Sequence, residues 1–127
     1  MMFGTGRHAP LYEVKAGLFK GLAHPIRIRV LEVLSAAPEA SVSELIEQTS
    51  LEASHLSQHL SVLRRNRLVV AERRGSLVYY RLAYPQVADL LRVARALLGE
   101  ILETTQQQLV EQQGLPELSP AGASDAR

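Results

Sequence analysis

Short polar side chains recur along one face of a leucine-containing segment in the middle of the chain. At 3.6 residues per turn, Ser54 and Gln58 lie opposite Leu56 and Leu60. A serine hydroxyl can donate or accept a hydrogen bond, and a glutamine amide can pair bidentately with adenine. The pattern therefore predicts a helix that buries its leucines and offers Ser54, Ser57 and Gln58 to the edges of DNA bases.

Basic residues follow this helix. Between residues 54 and 82 there are six arginines against one glutamate. Such an excess is usually a solvated face, but beside a polar helix it favours a polyanionic partner. The arginines at the helix end are expected to hold phosphates, whereas Arg73 and Arg74, at a turn that Gly75 permits, are expected to reach a neighbouring backbone or a minor groove. The predicted DNA-contacting residues are Ser54, His55, Ser57, Gln58, His59, Ser61, Arg64, Arg65, Arg67, Arg73, Arg74 and Gly75.

Histidines are the remaining candidates for site chemistry. His55 and His59 are four residues apart, as in a zinc pair, but the HExxH order is missing and both flank the predicted DNA face. Because two ligands make an incomplete metal site, structural or DNA-contacting roles are favoured. His24 is expected to cap a helix or to make a polar core contact. His8 is the one weak candidate for a metal ligand, joining carboxylates of a dimer to bind nickel, cobalt or zinc.

The elements that position these residues follow from the spacing of apolar residues. Helical spacing predicts helices over residues 11–22, from Pro25 onward, for about two turns after a capping box at Ser41 and Glu44, and over residues 53–65. The period then changes to two, which predicts strands at 68–72 and 77–82 around a hairpin turn. Pro85 opens a long last helix with a nearly heptad-like apolar stripe. The expected fold is mainly α with a β-hairpin wing (α+β): a winged helix-turn-helix of order ααααββα.

Composition narrows the function classes. The chain of 127 residues contains no cysteine, which excludes disulfides and thiolate metal sites. We find no apolar run of the roughly 18 residues that a membrane helix needs and no signal-peptide pattern, so we expect a cytoplasmic protein that does not bind membranes. Phosphate loops, nucleophile elbows and paired catalytic carboxylates are also missing, which argues against an enzyme. We expect no cofactor.

Three segments carry a resemblance to a known family: GLAHPIRIRVLEVL, SVSELIEQTSLEASHLSQHLSVLRRNRLV and ERRGSLVYYRL. In content, order and spacing they resemble the core of the ArsR/SmtB repressors over roughly residues 15–103. The resemblance implies double-stranded operator DNA as partner, an inducer that releases the DNA, and a homodimer built from the first and last helices. The long apolar stripe of the last helix also favours dimerisation, because a monomer cannot easily hide it. The expected dimer residues are Leu11, Val14, Leu18, Leu91, Ala94, Leu98, Ile101 and Leu102.

The known sensor sites of that family are not retained. Where one site has two cysteines, this chain has Ser41 and Ser43. Of the site on the last helix, Asp89 remains, but leucines and a threonine occupy the other positions. Asn66 stands where the family usually has a glycine, and we expect it to adopt the left-handed conformation there.

The expected organisation is a flexible arm at residues 1–10, a DNA-binding and dimerisation domain at 11–113, and a disordered tail at 114–127. Two alternatives stay open beside a repressor with an unknown small-molecule or metal effector. One is a winged-helix module that binds a protein and has no specific DNA affinity. The other is a repressor that senses a metal through His8 and carboxylates.

Overall fold

A computed structural model describes residues 9–112. The chain forms two units, and the boundary between them in the sequence falls between Leu90 and Leu91. The predicted arm and tail fall mostly outside the described residues. The elements are α1 (Leu11–Leu22), α2 (Pro25–Ala36), β1 (Ala40–Ser41), α3 (Val42–Thr49), α4 (Ala53–Arg65), β2 (Val69–Arg74), β3 (Leu77–Leu82) and α5 (Gln86–Gln112).

The predicted helices and hairpin are confirmed, but the predicted element order lacked one strand. β1 pairs antiparallel with β3, placing Ala40 opposite Tyr80 and Ser41 opposite Tyr79. The sheet therefore has three strands in the order β1-β3-β2. A strand of two residues is too short to show a period of two in the sequence, which is why the pattern did not reveal it.

The predicted helix caps are confirmed. Nδ1 of His24 accepts a hydrogen bond from the backbone N–H of Ile26 at 3.1 Å, directly before the helix that Pro25 begins. Ser41 and Glu44 form the reciprocal capping box at the start of α3, with distances of 3.1 and 2.7 Å. These caps satisfy N–H groups that a helix leaves without an internal partner, and so they set where α2 and α3 begin.

The core of the first unit fixes the orientation of α4. Leu56, Leu60 and Leu63 of this helix are buried, as are Leu31 of α2 and Leu45 of α3. Burying a leucine side chain contributes about 1.5–3 kcal/mol, so rotating α4 to expose this face would be strongly unfavourable. The face opposite the leucines is consequently held in solvent.

The exit from α4 differs from the prediction. Asn66 was expected to adopt the left-handed conformation, but its φ is −87°, and Arg67 adopts that conformation with φ 59°. The Asn66 side-chain amide donates to the carbonyl of Val62 at 2.8 Å, which keeps this residue close to the helix. Its side chain also lies beside Gly21, where a Cβ would stand 3.0 Å from Asn66 Cγ. The chain therefore turns one residue later than expected.

The second unit contains the α5 residues from Leu91 onward. Its apolar side chains are widely exposed. Leu97 is 59% exposed and Leu102 is 60% exposed. Within residues 9–112, none of the helices has the length and apolar character that crossing a membrane requires.

Candidate nucleic-acid interface

Helix α4 presents the predicted polar face to solvent. Ser50 caps the C-terminal end of α3, and its left-handed conformation (φ 60°, ψ 27°) turns the chain before α4 begins. Ser54, Ser57 and Gln58 are exposed on the side away from the buried leucines. This places hydrogen-bonding groups along the first two turns of a helix that is anchored through its opposite face, the arrangement by which a recognition helix enters a major groove.

The two histidines of α4 have different surroundings. His55 is exposed, whereas His59 is half-buried with its ring centroid 4.2 Å from that of His24. Burial lowers the pKa of His59, and the charges of His24, Arg27 and His55 lower it further. The ring contact with His24 gives His59 a structural role, one of the two roles that its sequence context favours, and its contact with DNA stays a prediction. Ser61 is half-buried as well.

Arginines at the end of α4 connect the helix with the wing. Arg64 and Arg65 are exposed in the last turn. Arg64 also donates a hydrogen bond to the hydroxyl of Tyr80 on β3 at 3.4 Å. Arg67, which follows in the left-handed conformation, is exposed too. The cations expected to hold phosphates therefore lie where the helix meets the sheet.

The two arginines at the wing tip have different surroundings. Strands β2 and β3 pair in register from Val69 opposite Leu82 to Arg74 opposite Leu77, and Gly75 makes the turn with φ 64°. Arg73 is exposed and has no ion pair or side-chain hydrogen bond within residues 9–112.

Arg74 is instead held by acidic and aromatic neighbours. Its guanidinium donates to both carboxylate oxygens of Glu39, at 2.8 and 2.6 Å, and to Glu72 at 3.2 Å. It also lies over the ring of Tyr79, 4.4 Å from the centroid. The hydrogen bond from Arg74 lowers the pKa of Glu39, so this carboxylate stays ionised. Sequence reasoning missed Glu39, because the two residues are 35 positions apart.

Within the part of the chain that is described, no group of three or more histidine, aspartate or glutamate side chains is placed to hold a metal ion. His8, the weak candidate for a metal ligand, lies outside those residues.

Comparison with known proteins agrees with this geometry. A family model described as a helix-turn-helix domain matches residues 22–72. The uncharacterized HTH-type transcriptional regulator Rv0081 of Mycobacterium tuberculosis is 50% identical over 94 residues, which make up 73% of this chain and 82% of that protein. The crystal structure of the same M. tuberculosis protein superposes with a TM-score of 0.71 at 48% identity, covering 76% of this chain and 97% of that one. The transcriptional repressor BigR from Xylella fastidiosa matches with a TM-score of 0.59 at 34% identity, over 63% of this chain and 81% of that one.

The chain belongs to the ArsR/SmtB family. It is thus a winged helix-turn-helix protein and a DNA-binding transcriptional regulator. The relatives named above are transcriptional regulators and not enzymes, and the alternative of a winged-helix module without specific DNA affinity is not supported. In this fold α4 is the second helix of the helix-turn-helix, and the β2–β3 hairpin is the wing.

Proposed function

We propose that this regulator represses transcription as a homodimer that binds an inverted-repeat operator in the cytoplasm. The observation that carries the proposal is the exposed polar face of α4. Ser54, Ser57 and Gln58 stand on a helix whose other side is fixed by buried leucines. These side chains would contact base edges, while Arg64, Arg65, Arg67 and Arg73 would contact phosphates and fix the register.

Dimerisation is supported by apolar side chains that the single chain leaves in solvent. In α1, Leu11 is 67% exposed. In α5, Leu98 is 54% and Ile101 is 50% exposed. Exposed apolar side chains on a helix often mark an interaction surface, and a second copy of the chain is the occupant that the family resemblance favours.

Sedimentation equilibrium tests the dimer. The wild-type chain is expected to sediment as a dimer. Leu98→Ser combined with Ile101→Ser should shift it toward monomer, because the change removes apolar area from the proposed interface. Gln106→Ser combined with Gln107→Ser, on the same helix, is the matched control and should leave the mass unchanged. A monomeric wild type, or a double leucine-isoleucine variant that stays dimeric, would contradict this interface.

Hydroxyl-radical footprinting on the protein's own promoter tests the operator geometry. Two symmetry-related recognition helices would enter successive major grooves, so protection should appear at two half-sites whose centres are about 10–10.5 base pairs apart. A single asymmetric protected site would contradict dimeric binding to an inverted repeat.

A further inference from the structure

A cavity of about 530 Å³ opens in the first unit beside the exit of α4. Its apolar lining comes from Leu18 of α1, which is also one of the expected dimer residues, and from Leu22 of α1 and Leu90 of α5. Asn66, Arg67 and Gln86 add polar groups to the lining. This volume lies within the range of about 300–1,000 Å³ that small-molecule sites occupy, and a mostly apolar lining with a few polar groups is typical of them.

The polar groups indicate what kind of molecule would fit. The Asn66 amide is already engaged with the Val62 carbonyl, at 2.8 Å. Arg67, in contrast, has no ion pair or side-chain hydrogen bond within residues 9–112. A guanidinium matches a carboxylate bidentately, whereas the leucines match a hydrocarbon chain or ring. The lining is thus complementary to a molecule with an apolar body and one acidic group.

We propose that this cavity is an effector site for a small organic acid. Arg67 and Gln86 would bind the carboxylate, and Leu18, Leu22 and Leu90 would surround the apolar body. The regulatory half of this proposal rests on the proposed DNA-binding role of Arg67. A carboxylate bound to this guanidinium would compete with a DNA phosphate for the same cation, so the acid and the operator would oppose each other's binding.

The position of Arg67 in the chain supports a coupling between binding of the acid and binding of DNA. The backbone N–H of Arg67 donates to the backbone carbonyl of Arg64 at 3.0 Å, and the backbone N–H of Leu68 donates to the backbone carbonyl of Leu63 at 3.0 Å. These bonds close α4 just before β2 begins at Val69. A ligand on Arg67 therefore acts at the connection between recognition helix and wing.

Titration of the full chain with octanoate, followed in ¹H–¹⁵N correlation spectra without DNA, tests the site itself. Octanol serves as the uncharged match. Shifts should concentrate at residues 18–22, 66–68 and 86–90, and octanoate should bind about tenfold more tightly than octanol, as expected for a charged hydrogen bond. Arg67→Gln should abolish this preference, and Arg67→Lys should restore part of it. The spectra also show directly whether each variant is folded.

Arg95→Gln, which removes the same charge from α5, is the matched control and should keep the preference. Equal binding of octanoate and octanol, or a preference that survives Arg67→Gln, would overturn the proposal. The proposal would also be overturned if the amide signals of the cavity residues did not shift with octanoate but did shift on dilution of the protein. A second copy of the chain would then fill the cavity.

Promoter binding separates the regulatory half from the site. Octanoate should weaken promoter binding several-fold when compared with acetate at the same ionic strength. Octanol should not weaken it. If octanoate occupies the cavity while promoter affinity stays constant, the effector role is refuted and the binding site stands. If the wild-type chain does not bind the promoter at all, the proposed operator function fails. The spectra without DNA still show whether the cavity binds octanoate.

Discussion

Arg73 and Arg74 are adjacent at the wing tip, yet the structure predicts different consequences when each is replaced by alanine. Arg74 is paired with Glu39 and Glu72, so two carboxylates already compensate its charge. Arg73 has no such partner within residues 9–112 and is free to meet a phosphate. We therefore expect Arg73→Ala to reduce the electrostatic part of DNA binding more than Arg74→Ala does.

The expected size follows from counterion release. One phosphate contact contributes about 0.9 to the slope of log K against log salt concentration, so losing Arg73 from both protomers should lower the slope by about 1.8. When the salt concentration rises from about 50 mM to about 200 mM, the DNA affinity of Arg73→Ala should therefore fall about 12-fold less than the affinity of the wild type. Arg74→Ala should change the slope by clearly less.

Fluorescence anisotropy with labelled promoter and scrambled duplexes measures these slopes. The Arg73→Ala effect should be similar on both duplexes, because phosphate contacts carry no direct sequence information. Arg95→Ala on α5 is the control and should leave the slope unchanged. An Arg74→Ala slope that falls as far as that of Arg73→Ala, or further, would refute the argument that Glu39 and Glu72 withhold Arg74 from DNA.

Three further predictions concern the same surface. Glu39→Gln should release Arg74 and raise the salt slope of promoter binding, by up to about 0.9 per protomer; anisotropy that shows an unchanged or lower slope would contradict this. Gln58→Ala should reduce discrimination between promoter and scrambled DNA by about 1–3 kcal/mol, or about 5- to 150-fold, and equal losses on both duplexes would remove Gln58 from base recognition. Folding lowers the pKa of His59 below its ordinary value of 6.5, so the unfolded chain binds more protons than the folded chain as the pH falls. The contribution of His59 to folding stability is therefore complete above about pH 6.5 and is lost as the pH falls through 6.5 towards the folded-state pKa. Urea unfolding should show this loss in the wild type and a flatter pH dependence in His59→Gln; identical pH profiles would contradict it.

Regular periodicity explains how much of the fold could be predicted. The leucines of α4 repeat at helical spacing, and burying them leaves Ser54, Ser57 and Gln58 exposed whatever the details of the neighbouring elements. The capping box at Ser41 was also predictable, since both partners lie within one turn.

What the sequence did not reveal depends on contacts between distant residues. The ion pair of Glu39 with Arg74 and the ring contact of His24 with His59 each join residues far apart in the chain. β1 depends on pairing with β3 and has no pattern of its own. The left-handed turn lies at Arg67 and not at Asn66, whose side chain packs beside Gly21 on another helix, a neighbour that the local sequence pattern does not show.

Dimeric, sequence-specific DNA binding is tested most directly by a titration of the purified chain against its own promoter and against a scrambled duplex. The titration is run at two salt concentrations and also determines the protein-to-DNA stoichiometry. A dimeric repressor should bind the promoter more tightly than the scrambled duplex and with a strong salt dependence, with two subunits at each site. Equal and weak binding to both duplexes, or one subunit at each site, would contradict a dimeric regulator that recognises this promoter through α4.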